Sequence, residues 1–169
     1  MKLSPILFLL SLASLSSLAH GRSSPFDLAL QSLQAKIEYK FVNIDLLRRA
    51  ATHSSYSRAN NRALSVLGSN LLSTIASLRC LDNNIDATPL DLSRAIVNAD
   101  SVANCAAVGF SLGLDEVIRV AAAETDSKSP SIVCGAFRAV LGAVALDSGK
   151  LDRAAEVFWA LSPPKPSDV

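Results

Sequence analysis

Aromatic residues are scarce in this chain of 169 residues, which has one Trp, two Tyr and six Phe, and Gly and Pro number only seven each. Half of the residues are apolar nonetheless, dominated by Ala and Leu. That composition leaves little material for hairpin turns and points to an all-α fold of one domain. Charge of one sign is missing too: sixteen Lys and Arg against fifteen Asp and Glu give a formal charge of +1. The basic residues are scattered, so no field favours tight nucleic-acid binding. Cysteine is limited to Cys80, Cys105 and Cys134. An odd, widely spaced trio excludes a disulfide framework and a zinc motif, and allows at most one internal bridge. The plainest expectation is three small buried apolar side chains. No Asn-x-Ser/Thr acceptor for a glycan occurs.

What is present begins with a leader. Lys2 precedes an apolar run from Leu3 to Ala19, and Ala19-His20-Gly21 places small residues at the positions a signal peptidase requires. Residues 1–21 are expected to be a secretory signal peptide and not a membrane anchor, because serines interrupt a run already near the minimum for spanning. A transit peptide would carry several arginines, which this segment lacks. Residues 22–162 follow as the helical domain, and the proline-rich residues 163–169 read as a disordered tail.

The stretch from His53 to Leu72, HSSYSRANNRALSVLGSNLL, looks like the one around which the chain is organised. A turn-forming cluster gives way to a helix opening after Asn60 or Asn61, with Leu64, Leu67, Leu71 and Ile75 spaced for burial and Arg62, Ser65 and Ser69 on a second face. This helix is expected to end near Cys80. The periodicity predicts further helices over 25–37, from Ile44 with Asn43 as cap, over 90–110 around Leu92, Ile96, Val97, Val102 and Cys105, and over 112–120 after Gly109 and Gly113. After a charged loop at 124–130, a long helix over 131–147 should bury Val133, Phe137, Val140, Leu141 and Val144. Gly149 stops it, and a last helix over 151–161 turns Ala155, Phe158 and Trp159 inward. Seven or eight helices result.

Three blocks in order, LLRRAATHSSYSRANNRALSVLGSNLL, SRAIVNADSVANCAAVGFSLGL and CGAFRAVLGAVALDSG, resemble the ribonuclease III endonuclease domain over nearly the whole chain after the leader. The matched features are Thr52-His53-Ser54, Asn61, Leu64, Leu67-Gly68, Phe137, Gly142 and Leu146-Asp147-Ser148-Gly149. The resemblance implies that family's helical fold and, in its active members, magnesium held by carboxylates to activate water against duplex RNA. Magnesium needs hard oxygen ligands, which carboxylates supply. Where the family signature has its acids, this sequence has Arg62, Ser65 and Ser69 in the first helix and Gly135 and Arg138 in the later one. Asp86 is the one acidic position the resemblance leaves in place. No catalytic residue and no metal ligand is therefore expected, and Mg²⁺ would be a cofactor only if catalysis were retained.

The exchange of acid for base suggests a second reading of Arg62 and Arg138: together they would form an anion site, since guanidinium groups bond phosphate oxygens in pairs. Simple surface exposure is the alternative. The resemblance also implies dimerisation through the signature helix. There Val66 stands for a phenylalanine, a loss on the order of 1 kcal/mol in ring contact. The expected partner is thus a second copy or another protein, RNA would bind weakly, and no transmembrane anchor is expected. Short plant members with a hydrophobic leader and a lone, degenerate domain are the most similar. That similarity implies a non-catalytic part in nuclear fusion (karyogamy) in the female gametophyte. An RNA-processing factor with residual magnesium-dependent cleavage is the alternative. The leader implies the endoplasmic reticulum or secretion, with mitochondrion or plastid as the alternative destinations.

Overall fold

The computed structural model describes residues 24–121 and 125–162; the leader at 1–21 and the tail at 163–169 lie outside the described residues. Eight helices and no strand occur among the described residues: α1 (Pro25–Lys36), α2 (Ile44–Ala50), α3 (Arg62–Asn83), α4 (Pro89–Ala99), α5 (Val102–Ser111), α6 (Leu114–Val117), α7 (Pro130–Ser148) and α8 (Leu151–Leu161).

Local chemistry sets the boundaries. Ser24 Oγ accepts the Asp27 N–H at 3.1 Å, and Asn43 Oδ1 accepts that of Asp45 at 3.1 Å, so α1 and α2 start at side-chain caps. Thr88 and Asp91 form a reciprocal capping box at α4. The left-handed Gly149, at φ 66°, ends α7.

Helix α7, rather than the expected α3, is the centre. Val133, Phe137, Val140, Leu141 and Val144 are all buried, as their spacing predicts, and so are the alanines between them. Helices α2, α3, α5 and α8 all pack on α7. Such all-round burial requires a helix apolar on every face, whereas α3 leaves Val66 and Leu78 to solvent. Each of α3 and α7 is long and apolar enough to cross a membrane. In this fold they are packed core helices.

Two glycines bring α3 and α7 together. A Cβ at Gly68 would run into the Arg138 carbonyl, and one at Gly142 would meet the Leu64 carbonyl. The backbones therefore touch where these two glycines cross, and side chains flanking the crossing come within bonding reach.

Several expectations need correction. Helix α3 continues past Cys80 to Asn83. The region 90–110 splits into α4 and α5, and α4 buries no residue fully: Val97 is 69% exposed. Helix α4 rests mainly on α3 along its half-buried Leu92, Ala95, Ile96 and Ala99 face, so Leu90 and Val97 point outward. Gly109 lies inside α5, and the helix expected over 112–120 has only the four residues Leu114–Val117. Beyond it the chain is drawn straight to pair with Thr52: Arg119 N–H donates to Ala51 O at 3.0 Å, and His53 N–H to Arg119 O at 2.9 Å. The loop expected at 124–130 is observed over 125–129, and Glu124 lies outside the described residues. In α8 the buried face is Ala154, Val157 and Phe158, with Ala155 and Trp159 half-buried. Cys105 and Cys134 are joined in a disulfide that ties α5 to α7, leaving Cys80 free. Their Cα atoms lie 4.9 Å apart, within the span such a bond needs.

Candidate functional site

The side chains singled out in the sequence gather where α3 crosses α7. Upstream of α3, Thr52 is fully buried: its hydroxyl donates to Arg48 O at 2.7 Å and accepts from Arg119 Nη2 at 2.6 Å. The Arg119 guanidinium lies 4.0 Å from the Phe26 ring centroid and 4.9 Å from that of Tyr56, a stack that fixes the turn before α3. Asn61 N–H then donates to Thr52 O at 2.9 Å. The side chain of Asn60, not that of Asn61, closes the helix start by accepting the Arg62 N–H at 3.1 Å. The Asn61 carboxamide makes no hydrogen bond among the described residues although the residue is only 4% exposed.

Arg62, Ser65 and Ser69 lie three and four positions apart and share one face of α3, as expected. Gly135 and Arg138 face them from α7. A Cβ built on Gly135 would sit 3.9 Å from Ser65 Oγ, an ordinary contact, so a larger residue would fit there.

Asp100, at the junction of α4 and α5, completes the arrangement. Arg138 Nε donates to Asp100 Oδ1 at 2.6 Å, Arg138 Nη2 donates to the Asp100 carbonyl at 2.6 Å, and Ser69 Oγ donates to Asp100 Oδ2 at 2.6 Å. Both charged side chains are about four-fifths covered, at 22% and 20% exposure. The Arg138 guanidinium thus grips Asp100 twice, once at the carboxylate and once at the backbone carbonyl, and the charge-assisted bond is the stronger of the two. The cluster ties α3, α7 and the α4–α5 junction at one point.

Arg138 and Arg62 therefore do not form one anion site together: Arg138 is held by Asp100, while Arg62 is exposed, forms no ion pair among the described residues and opens onto a separate cleft. That cleft, of about 320 Å³, is lined by His53, Asn61, Arg62, Ser65, Ser131 and Gly135, with Val66 and Ile132 at its edge. Val66 is 66% exposed, free to meet another surface. Asp86 is exposed in the loop between α3 and α4, where its N–H donates to Asn84 Oδ1 at 3.0 Å, and it joins neither the cluster nor the cleft.

These residues do not fit a divalent cation. Positions 62, 65, 69, 135 and 138 offer two hydroxyls, two guanidiniums and no carboxylate, and Asp100, which reaches them from the α4–α5 junction, already neutralises Arg138. Among the described residues no three His, Cys, Asp or Glu side chains converge as a metal site. Sequence reasoning missed Asp100 as the partner of Arg138. Nothing in a separation of 38 residues signals that pair, whose geometry exists only once α4 and α5 are laid over the α3–α7 crossing.

A ribonuclease-III-like family model matches residues 43–161. The Arabidopsis thaliana protein NUCLEAR FUSION DEFECTIVE 2 is 46% identical over 138 residues, which cover 81% of this chain and 72% of that protein. Ribonuclease 3 of Albidiferax ferrireducens is 40% identical over 124 residues, covering 71% of this chain and 54% of the bacterial protein, so this chain spans about half of that relative. In structure it resembles the nuclease domain of ribonuclease III from Campylobacter jejuni, described for flexibility in a region involved in dimer formation. The TM-score is 0.74 at 26% identity, covering 78% of this chain and 94% of that one.

Proposed function

This chain belongs to the ribonuclease-III-like family, and from that premise we propose that it is a non-catalytic member, a scaffold working through protein contacts. The observation that carries this reading is the Ser69–Asp100–Arg138 cluster. Arg138, bound to Asp100 from the α4–α5 junction, occupies the region where carboxylates would have to converge on magnesium. A dication placed beside it would meet repulsion and a shortage of charged oxygen ligands.

The exposed Val66 supports assembly through α3 as a homodimer or with another protein. Likeness to NUCLEAR FUSION DEFECTIVE 2 supports a part in nuclear fusion, and the Cys105–Cys134 bond suits the oxidising lumen that the leader implies. Such a bond favours the secretory route over mitochondrion or plastid.

Incubating the purified chain with long duplex RNA and either Mg²⁺ or Mn²⁺ tests the proposal. Intact RNA on a denaturing gel is the expected result. Metal-dependent cutting that disappears in Asp86→Asn or Asp100→Asn would overturn it and establish the RNA-processing alternative.

A further inference from the structure

We propose that the cleft between the N-terminal ends of α3 and α7 is a binding site for a phosphate-sized oxyanion, the terminal phosphate of a small phosphomonoester. Four independent features converge there. Arg62 provides a guanidinium that no carboxylate of the described residues engages, and no acid lines the cleft. Two long helices, of 22 and 19 residues, present their N-terminal turns to it, where peptide dipoles favour negative charge.

His53 lines the cleft with its ring held by Ser55. Its Nδ1 accepts the Ser55 N–H at 3.2 Å and lies 2.9 Å from Ser55 Oγ, which fixes the ring at the rim of the site. Finally, Asn61 is 4% exposed and lines the cleft with a carboxamide that has no hydrogen-bond partner among the described residues. The little surface that Asn61 exposes is turned to the cleft, so its amide stands ready to bond a group that enters there. The Ser65 hydroxyl adds a further donor, and the Ser131 hydroxyl lines the cleft while sharing a 3.0 Å hydrogen bond with Ser129 Oγ.

A single arginine in a cleft of about 320 Å³ suits one phosphate and a small attached group. Duplex RNA needs a track of basic side chains along its backbone, and a formal charge of +1 with scattered basic residues supplies none. This inference does not depend on the loss of hydrolysis: cleavage of RNA would sink that reading and leave this one standing.

Calorimetric titration of the full chain with inorganic phosphate, and separately with ribose 5-phosphate, provides the test. Saturable binding is expected with a dissociation constant on the order of 1 mM or tighter. Arg62→Ser should weaken it at least about tenfold, as should Asn61→Asp, which keeps the shape and suits a helix start but repels an anion. Arg94→Ser, on the outer face of α4, should leave it unchanged. Tighter binding of ribose 5-phosphate identifies an organic monoester as the ligand, and equal binding identifies phosphate itself. Absence of saturation with both probes, or equal losses in Arg62→Ser and Arg94→Ser, overturns the proposal.

Discussion

Asp100, at the α4–α5 junction, and Arg138 of α7 meet at 2.6 Å beside the crossing of α3 and α7. Each charge is mostly covered, so removing one leaves the other desolvated and unpaired. Discounted for the remaining solvent contact, Arg138→Ala or Asp100→Asn should each cost about 2 kcal/mol in urea unfolding. The double variant Asp100→Asn with Arg138→Ala should lose clearly less than the two single costs added. Strict additivity would show that the two side chains do not cooperate.

Much of the fold was legible because burial imposes a period. The bounds of α8 and the buried positions of α7 follow from apolar spacing, and Gly149 from its need for a left-handed stop. The matched glycines and Asp147 were legible as family positions, but their physical work was not. Gly68 and Gly142 exist to let backbones touch, and Asp147 to hold the entry of a helix more than a hundred residues earlier. The fate of Arg138 was not legible at all, because a guanidinium beside a distant carboxylate leaves no periodic trace. Helix α4 misled for a related reason: a helix lying on the outside of another can carry apolar residues that no core receives.

Close backbone contact makes Gly68 sensitive to one added carbon. Gly68→Ala must separate α3 from α7, since the atom it meets is the Arg138 backbone carbonyl and not a side chain that can swing away. A loss of about 3 kcal/mol or more is expected, whereas Gly135→Ala, with only an ordinary contact to Ser65 Oγ, should change stability by less than about 1 kcal/mol. Thermal melts of the two variants side by side check this. Comparable losses would mean that the helices do not cross where these glycines lie.

The Cys105–Cys134 bond closes a loop of 29 residues between two helices that are already packed. Constraint of the unfolded chain over that length contributes about 3.6 kcal/mol. Unfolding in urea with and without a reductant should therefore show a lower midpoint when reduced, and Cys105→Ala with Cys134→Ala should abolish the dependence. Since Cys80 is free, Cys80→Ala should retain the full effect of reductant.

Acid should destabilise the fold through Asp147. Burial alone would raise its carboxyl, but the backbone N–H groups of Asn43 and Val42 and the Tyr39 hydroxyl, each at 2.8 Å, outweigh burial and hold it below the usual carboxylate range. A carboxyl with a folded-state pKa lower than its unfolded value binds fewer protons when folded. Its stabilisation is therefore complete above the unfolded pKa of about 3.9 and fades as pH falls through the lower folded value. Asp147→Asn should cost about 2 kcal/mol at neutral pH, where charged hydrogen bonds are replaced by weaker ones. The gap between wild type and variant should close as the pH of the unfolding experiment is lowered below the unfolded value of about 3.9 and on through the lower folded one, because protonation then removes from the wild type the charge that the variant already lacks. A gap that stayed constant from neutral pH to strong acid would show that Asp147 acts through its shape alone, and that the negative charge contributes nothing to joining the end of α7 to the start of α2.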